Sequence, residues 1–543
     1  MRPLRLFATA LVALGTLLAG TTTATAAAPT TAAVTATTAA PTTVRPHGIT
    51  GSAGAGYALT GSGITQAGAS WVQPFVDCTS GGAVQLWVGL DGLTASDPGV
   101  EQIGTQVDCN GGNGHYYGFY SAGGTKQAYG GNVLPEDNMA AAVVQVPHTA
   151  TYQIAIIDYT QNWSATEVVT AANAQNASAE VMVSAGGTSL AQFGYNGFTA
   201  VSLDNTALTS TATAVTLDNP AGGTATPTAL SANHNFGVAY GASTAPETGQ
   251  DITAVQAGIP RNQVVYNWTP AGSGYTGQSI LRNTSPSVVI LPDGGWEEAI
   301  MTAYKTLVII GSDYTWNTGL ALAGGSSPSL AVSSNGTLEV AYEASSGHLC
   351  TFTPNSNPVD TQLQMTGSST PSIAALAGGG FEIAYVANTG VLAFTGPEGT
   401  GLSTNYVRGG TNPSIVAESG NGYLYAFQAT DSTLWIGSYG IPAIRENGIT
   451  LAAGTSPSAA WLSGGSEVAY ESSNGQINWT GLYTSTNGPA SVGSSSPSIT
   501  AYAGEFQVTY QSTAFQLALT SPMGTMSTGL GMAGTGTSPS TGT

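Results

Sequence analysis

Hydrophobic and polar residues alternate over much of the chain, and this two-residue period predicts short β-strands rather than helices. Turns rich in Gly, Asn and Pro separate the segments, and no long stretch shows the 3.6-residue period of an amphipathic helix. Over residues 51–220 the pattern predicts an all-β domain, an antiparallel β-sandwich or barrel. Its clearest strand segments are Ala83–Leu90, His115–Tyr120, Ala140–Val146, Thr151–Thr160, Ser178–Ala185 and Thr199–Asn205.

The second half of the chain carries a Pro-Ser pair at a nearly constant period. Successive prolines lie 42, 43, 42, 44, 40 and 42 residues apart, and each unit has room for about four short strands, the content of one β-propeller blade. Residues Ala245–Arg282 offer one further, divergent blade, and pairing of the two ends in a single blade would close the ring. We therefore expect a six- or seven-bladed β-propeller over residues 245–543, with the repeated prolines at Pro286, Pro328, Pro371, Pro413, Pro457, Pro497 and Pro539.

The beginning of the chain has the pattern of a secretory signal peptide. Arg2 and Arg5 precede an apolar run, and small residues follow at Ala24–Ala28. No second apolar stretch of spanning length follows, so we expect an exported, extracellular protein without a membrane span. The predicted segments are a signal peptide (1–28), a Thr/Ala/Pro-rich linker or pro-segment (29–50), the sandwich (51–220), a linker (221–244) and the propeller (245–543).

The chain is poor in charge and strongly acidic. It has 9 Lys and Arg residues against 29 Asp and Glu, and a formal net charge of −20. So few cations disfavour nucleic acid as a partner, and the negative charge disfavours anionic membrane surfaces. Surface carboxylates lose their charge near pH values of about 4, so acidic surroundings would relieve the self-repulsion of the chain. We expect a monomer.

Three cysteines and two histidines are the remaining candidates for special chemistry. Cys78 and Cys109 would tie neighbouring strands if they oxidise outside the cell, and the alternative is that both are small buried thiols. Cys350 is left over in the other half of the chain. His115 and His148 have no paired nucleophile motif and are interpreted as surface or turn residues. We expect no metal and no cofactor, because no residues show metal-ligand spacing.

Several motifs occur in an order that resembles the glutamic peptidases, or eqolisins. WVGLDG (Trp87–Gly92) is followed by EQIGTQVDC (Glu101–Cys109), by the tyrosine-rich YYGFYSAGG and, further on, by SAEVM (Ser178–Met182). Four flanking segments are also similar to strands of that family: GASWVQPFVDC, LPEDNMAAAVV, YQIAIIDYTQNWS and SLAQFGYNGFTAVSLDN. The resemblance covers Gly56–Asn205.

The resemblance implies a sandwich of two antiparallel sheets with a Gln/Glu dyad on one concave face. The dyad positions correspond to Gln102 and Glu180 of this chain. A carboxylate on such a face can act as a general base toward water and return the proton to the leaving amine. An amide can donate an N–H to the developing oxyanion without a charge of its own to desolvate.

Two other polar residues in the same segment compete for the role. Strand alternation places Gln102 and Gln106 on one face together with Asp108, and it places Glu101 on the opposite face, toward solvent. The resemblance favours Gln102 as the catalytic amide. Gln106 remains the alternative amide, and an unreactive groove lined by polar residues remains the alternative interpretation of the segment.

Supporting residues and departures follow from the same resemblance. Trp87 and Asp91 match positions that shape the family site, and Tyr117 lies in a neighbouring strand; a lone strand Trp is more often a core residue. The family's Y-x-x-W-Y-E strand reads YYGFYSAGG here, with Ser121 replacing a supporting Glu. Val181 follows Glu180 where the family has Trp.

We predict a secreted acid endopeptidase that cleaves a protein or peptide substrate and carries a propeller for a glycan or cell-surface ligand. Trp435, Trp461 and Trp479 are the propeller's candidates for stacking on sugars, although packing within blades is the commoner role for such residues. The rival hypothesis is a non-catalytic carbohydrate- or surface-binding protein with a degenerate peptidase-like sandwich, and the departures from the family pattern favour it.

Overall fold

A computed structural model gives the fold of most of the chain after residue 48. All regular elements of the described residues are β-strands, as predicted, and none of them includes a helix long and apolar enough to cross a bilayer. The predicted signal peptide lies outside the described residues. The described stretches are 49–51, 54–93, 101–123, 125–129, 131–204, 206–208, 211–230, 235–241, 252–259, 262–269, 272–312, 314–420, 422–493, 495–502, 505–533 and 537–542.

The first of two compact units is built on one large, mainly antiparallel sheet. Its strands are β1 (Ile49–Gly51), β2 (Ala55–Thr60), β3 (Gln66–Val72), β4 (Ala83–Leu90), β5 (Glu101–Asn110), β6 (Asn113–Ala122), β7 (Thr125–Ala128), β8 (Asn138–Gln145), β9 (Thr151–Asp158), β10 (Trp163–Thr170), β11 (Ser178–Ser184), β12 (Tyr195–Leu203), β13 (Thr206–Ala207), β14 (Thr213–Asp218), β15 (Thr224–Pro227) and β16 (Phe236–Tyr240). The order across the sheet is β10-β9-β8-β3-β12-β16-β15-β14-β2-β11-β4-β5-β6-β7.

This sheet folds back on itself, which confirms the predicted sandwich. Strands β3, β8 and β9 of one half pack against β4, β5 and β11 of the other half. The core between them includes Ile154 and Ile156 from β9 and Ile103 and Val107 from β5, all fully buried. Strand β4 is buried at every position, which explains its nearly continuous apolar sequence.

Residues 221–244 were expected to form a linker, but they contain β15 and β16 of the large sheet. Phe236 anchors this part because its ring packs against Tyr57 and Phe198, with centroids 4.8 Å and 5.2 Å away. The run FGVAY is too short for its alternation to stand out in the sequence. Cys78 and Cys109 form a disulfide, and Cys350 is a buried free thiol.

The second unit is a propeller of seven small sheets. Its strands are β17 (Ile252–Ile259), β18 (Asn262–Thr269), β19 (Gly272–Ser279), β20 (Ser287–Ile290), β21 (Trp296–Met301), β22 (Thr306–Gly311), β23 (Thr315–Ala321), β24 (Ser329–Val332), β25 (Leu338–Glu343), β26 (His348–Phe352), β27 (Val359–Gln364), β28 (Ser372–Ala375), β29 (Phe381–Val386), β30 (Val391–Thr395), β31 (Gly401–Tyr406), β32 (Ser414–Ala417), β33 (Tyr423–Gln428), β34 (Thr433–Ser438), β35 (Ile441–Thr450), β36 (Ser458–Leu462), β37 (Gly465–Glu471), β38 (Ile477–Gly481), β39 (Ser498–Tyr502), β40 (Glu505–Gln511), β41 (Gln516–Ser521), β42 (Gly524–Gly531) and β43 (Ser540–Gly542).

The ring closes by pairing the two ends of the propeller segment in one blade, as expected. Strand β43 is the innermost strand of the blade whose other strands are β17, β18 and β19. Ile252 of β17 lies opposite Gly542 of β43 in antiparallel register. Because this blade is complete, the propeller has seven blades, the larger of the two predicted numbers.

The residue before each repeated proline gives the period a structural reason. In every blade its backbone N–H donates to the side-chain oxygen of the equivalent residue in a neighbouring blade, over 2.8–3.0 Å. The bond from Ser538 to Ser285 completes the circle. The repeated sequence therefore encodes a closed ring of blade-to-blade hydrogen bonds, formed by Ser285, Ser327, Thr370, Asn412, Ser456, Ser496 and Ser538.

Candidate active site

One row of residues across the large sheet carries both predicted dyad positions. Glu180 of β11 lies opposite Gly89 of β4, and Gly89 lies opposite Gln102 of β5. Directly paired residues project to the same face of a sheet, so Glu180 and Gln102 share a face with a glycine between them. Two strand spacings separate their backbones by about 10 Å. The absence of a side chain at Gly89 lets the Trp87 indole and the Gln102 side chain approach the backbone between the two positions, where an added methyl would lie 2.9 Å and 3.0 Å from them.

Gly92 lies where these side chains converge. Its N–H donates to Oε2 of Glu180 at 3.1 Å. A methyl group added at Gly92 would lie 3.2 Å from Nε2 of Gln102 and 2.9 Å from the indole of Trp87. The Glu180 carboxyl, the Gln102 amide and the Trp87 ring thus surround one glycine. Glu180 is fully buried and Gln102 is half-buried.

Hydrogen bonds fix Trp87 beside this row. Its indole N–H donates to Oγ of Ser184 at 3.0 Å, and the Ser184 hydroxyl donates to Oε1 of Gln85 at 2.9 Å. The Gln85 amide donates in turn to Oε1 of Gln106 at 2.6 Å. All four side chains are buried. Trp87 therefore packs in the domain and also borders the candidate site in a fixed orientation.

Tyr117 belongs to the far end of the same network. Its hydroxyl donates to Oδ2 of Asp108 at 2.8 Å, and the Gln106 amide donates to the other oxygen of that carboxylate. Burial, and then the Asp108 carboxylate, raise the pKa of Tyr117 well above its usual value. The hydroxyl consequently stays protonated and acts as a donor. Tyr117 thus supports the polar network on this face.

Asp91 positions the strand that carries Glu180. Its carboxylate accepts backbone N–H groups from Gln175, Asn176 and Ala177 at 2.6–2.7 Å. These three residues directly precede β11, so the fully buried Asp91 ties the entrance of β11 to the end of β4. Hydrogen bonds to a charged group contribute roughly 1.5–3 kcal/mol each, which makes this a firm anchor.

The structure separates the two competing residues from Gln102. Gln106 shares the face of Gln102, but its amide is engaged at both ends by Gln85 and Asp108. Glu101 faces the opposite side as predicted, yet the expectation that it meets solvent was wrong, because it is fully buried. The reason is that the opposite face of β5 packs inside the sandwich against β8 and β9.

The main departure from the resembled family lies next to Gln102. Ser121 of β6 is directly opposite Gln102 of β5 and is nearly buried. The resemblance leads one to expect a carboxylate at this position, and a serine hydroxyl is shorter and uncharged. Gln102 therefore lies opposite a serine hydroxyl here, where the resembled family has a carboxylate.

Sequence reasoning missed Gly92, Ser184 and Gln85 as parts of the site. Period-two alternation contained the signal for two of them, because Ser184 follows Glu180 by four positions and Gln85 precedes Trp87 by two. Gly92 was visible only as a letter of the WVGLDG motif. Its contact with Glu180 depends on how the chain turns after β4.

In the propeller, the three candidate tryptophans differ in exposure. Trp479 is buried and packs against Phe506 with ring centroids 5.5 Å apart, so it is a core residue. Trp435 is half-buried and donates its indole N–H to Oγ1 of Thr433 at 3.1 Å. Trp461 is also half-buried. Sugar stacking stays a prediction for Trp435 and Trp461.

The first unit is similar to a known protein family. Residues 50–240 match the model of the Peptidase A4 family. This part of the chain is similar to a family of peptidases. The matched Peptidase A4 region begins at β1 and ends at β16, and it includes the whole row from Glu180 to Gln102. The match supports a peptidase, a hydrolase of peptide bonds, at the level of the family.

Solved structures of glutamic peptidases also align with part of this chain. Scytalido-glutamic peptidase with a transition state analog inhibitor is 18% identical, and the alignment covers 35% of this chain and 98% of that chain with a TM-score of 0.30. SCP-B, a member of the eqolisin family in complex with the tripeptide Ala-Ile-His, is also 18% identical, with the same two coverages and a TM-score of 0.27.

The six-bladed β-propeller lectin of Aleuria aurantia also aligns with this chain. It is 12% identical, and the alignment covers 47% of this chain and 98% of that chain with a TM-score of 0.35. No curated protein matches the chain.

Replacing Gly92 with alanine is expected to lower peptidase activity and to cost about 1–3 kcal/mol of stability, because the methyl crowds the buried Trp87 indole. The added methyl would press on the Trp87 indole at 2.9 Å and on the Gln102 amide at 3.2 Å, and small displacements in an active site cost about 10²-fold in rate. Steady-state kinetics and thermal unfolding test this. Gly61→Ala is the control, because its methyl meets only Ile64 at an ordinary 3.6 Å. Equal activity in the two variants would contradict the convergence on Gly92.

Proposed function

We propose that the protein is a secreted acid endopeptidase in which Glu180 and Gln102 form the catalytic dyad. The observation that carries the proposal is the shared row of Glu180, Gly89 and Gln102 within the Peptidase A4 region. The substrate in this proposal is a protein or peptide chain. No metal or cofactor takes part.

In the proposed reaction each of the two side chains has a distinct step. The Glu180 carboxylate accepts a proton from a water molecule, whose oxygen attacks the carbonyl carbon of the scissile bond. The Gln102 amide donates an N–H to the carbonyl oxygen as it becomes negative. The carboxyl of Glu180 then gives its proton to the leaving nitrogen as the C–N bond breaks, and the Gly92 N–H holds the carboxyl throughout.

Acidic conditions suit this assignment. Carboxyl groups in general exchange their protons in acid, with a reference pKa of about 4, and the proposed reaction requires one carboxyl to take and then return a proton. The strongly acidic composition also favours acidic conditions. Protonation of carboxylates in acid reduces the electrostatic repulsion within a chain whose net charge is −20 at pH 7.

For the propeller we propose binding of a glycan or a cell-surface ligand. Seven equivalent blades offer repeated weak sites, and repetition raises the total strength of attachment. Trp435 and Trp461 are the half-exposed aromatic residues that support stacking on a sugar ring. Such binding would hold the peptidase near its substrate.

A second candidate function is a binding protein without peptidase activity. Ser121 opposite Gln102 favours it, because the expected supporting carboxylate is absent there. Val181 in place of an aromatic residue favours it as well. Glycan-array binding together with no peptide cleavage between about pH 2 and pH 7 would select this alternative.

Digestion of denatured casein across that pH range tests the proposed activity. We expect cleavage in acid that pepstatin does not inhibit, and a loss of about 10²- to 10³-fold in kcat for Gln102→Ala, the usual cost of removing an oxyanion donor. Gln106→Ala is the matched variant, an amide on the same strand and face. A larger loss of kcat in Gln106→Ala than in Gln102→Ala would indicate that Gln106, not Gln102, is the oxyanion donor.

A further inference from the structure

Lys126 is the single cationic side chain of Lys or Arg type between Arg45 and Arg261 in the sequence. The fold places this residue in the row of the dyad. Gln102 lies opposite Ser121 of β6, and Ser121 lies opposite Lys126 of β7. The lysine of a domain with almost no positive charge therefore lies on the same face as the candidate active site.

The surroundings of Lys126 hold its ammonium over the sheet. Nζ lies 4.5 Å from the ring centroid of Phe119 and 5.9 Å from that of Tyr117. The Phe119 ring is fully buried and belongs to the same apolar cluster as Trp87. The ammonium therefore sits above an aromatic patch that continues toward Trp87, one row away from the dyad.

The charge of Lys126 is not neutralised by an ion pair. Neither of the two ion pairs among the described residues includes it. Burial lowers the pKa of the Lys126 ammonium, and the field of the Asp108 carboxylate offsets part of this effect. Both oxygens of Asp108 already accept hydrogen bonds, from Gln106 and Tyr117. The N–H donors of Lys126 can therefore bind a further acceptor, such as an anionic group of a bound molecule.

We propose that Lys126 is a specificity-determining residue that binds an anionic group of the substrate, a side-chain or C-terminal carboxylate. This inference rests on the proposed peptidase function. Two strand spacings separate Lys126 from Gln102, about 10 Å, which an extended peptide spans with roughly three residues. The anionic residue therefore lies about three positions from the bond that is cut.

A purely structural role makes a different prediction. If Lys126 only covers Phe119 through a cation–π contact, its loss lowers the activity on all substrates to the same extent. If it binds substrate, its loss changes the ratio between charged and uncharged substrates. The ratio of kcat/KM values for two matched peptides therefore separates the roles.

The experiment uses two peptides that differ at one residue, three positions from the cleaved bond, which is either cysteic acid or asparagine. The sulfonate of cysteic acid stays ionised in acid. For the wild type we expect kcat/KM to favour the anionic peptide by about twofold to fivefold, the size of one exposed ion pair, with the preference reduced by salt. The peptide pair is made for both sides of the bond.

Three variants define the outcome. The preference is expected to remain in Lys126→Arg, to approach one in Lys126→Met and, above a pH of about 5 where the new carboxylate is ionised, to reverse in Lys126→Glu. An unchanged preference in Lys126→Met, or an equal loss for both peptides, overturns the inference. If the wild type cuts neither peptide, the proposed function fails separately. The ratio of Kd values for the same peptides, measured by fluorescence anisotropy, then supports or overturns the anion site in the same way.

Discussion

Replacing Glu180 with glutamine is expected to abolish peptide cleavage while leaving the fold intact. Glutamine has nearly the same shape, and its carbonyl oxygen can still accept the N–H of Gly92, a bond of 3.1 Å in the native protein. What the substitution removes is the basic oxygen that takes a proton from water. Positioned general acid–base groups contribute about 10²- to 10⁴-fold, and this carboxyl serves in both steps of the proposed reaction. We therefore expect a loss of at least about 10³-fold in kcat.

Glu101→Gln is the matched control for that measurement. Glu101 is also fully buried and precedes Gln102 on β5, but it faces the interior of the sandwich rather than the row of Gln102. Its replacement should leave kcat within about tenfold of the wild type, because its side chain projects to the face of β5 opposite to that of Gln102. Circular dichroism establishes that both variants are folded. Substantial cleavage by a folded Glu180→Gln protein would reject the dyad.

The propeller is expected to lose much of its stability as the pH rises from acid to neutral. Five of its glutamates are at most 1% exposed: Glu298, Glu343, Glu382, Glu467 and Glu471. Burial raises the pKa of Glu298 to about 8 and the pKa of each of the other four to about 7. Neither of the ion pairs among the described residues includes any of these carboxyl groups.

The sign follows from the two states of each carboxyl. In the unfolded chain a glutamate loses its proton near pH 4.5, whereas in the fold it keeps the proton until about pH 7 or above. Below pH 4.5 both states are protonated and stability is complete. Between these values the unfolded state is favoured by release of the proton, at up to roughly 1.4 kcal/mol per pH unit for each carboxyl. Stability is therefore lost as pH rises.

Calorimetry at pH 4.5 and pH 7.5 measures this effect. We expect Tm to be lower at the higher pH by at least about 10 °C, because several kcal/mol are lost and each shifts Tm by about 2–4 °C in a unit of this size. A Tm that is unchanged or higher at pH 7.5 would contradict the assignment of neutral carboxyl groups.

A double variant tests whether the buried glutamates cause the effect. Glu343 and Glu471 occupy a repeat position that other blades fill with Gln256, Gln428 and Gln511. These amides donate to backbone carbonyls, for example from Gln511 to Ala533 at 2.6 Å. Glu343→Gln combined with Glu471→Gln should therefore fit the fold and flatten the pH dependence, whereas Glu446→Gln on an outer strand should not. An equally steep decline in the double variant would point to other groups.

Much of the propeller could be predicted because its sequence repeats. The fixed period of the Pro-Ser pair reflects a hydrogen bond that is made once per blade. The spacing of the blades can therefore be read from the positions of this pair. The seventh blade could not be fixed in the same way. Its inner strand, β43, comes from the far end of the chain and pairs with Ile252 and its neighbours. The repeat places Pro539, but whether the residues after it complete a seventh blade depends on long-range pairing that the repeat does not show.

In the first unit, the alternation of polar and apolar residues predicted which side chains share a face of a strand, but not which elements cover that face. It separated Gln102 from Glu101 correctly, yet only the folding of the sheet onto β8 and β9 shows that Glu101 is enclosed. The partner role of Gly92 and the anchoring role of Asp91 depend on turns after β4, where spacing along the sequence gives no guide. The dyad itself came from motif resemblance, and its catalytic role stays a prediction.

The most direct measurement of the central claim is a crystal structure of the Glu180→Gln protein with an uncleaved peptide substrate bound. The account predicts that Nε2 of Gln102 lies within about 3 Å of one peptide carbonyl oxygen, and that residue 180 contacts a water molecule placed to attack the same carbonyl carbon. A peptide bound elsewhere, or one that meets only one of these two side chains, would contradict it.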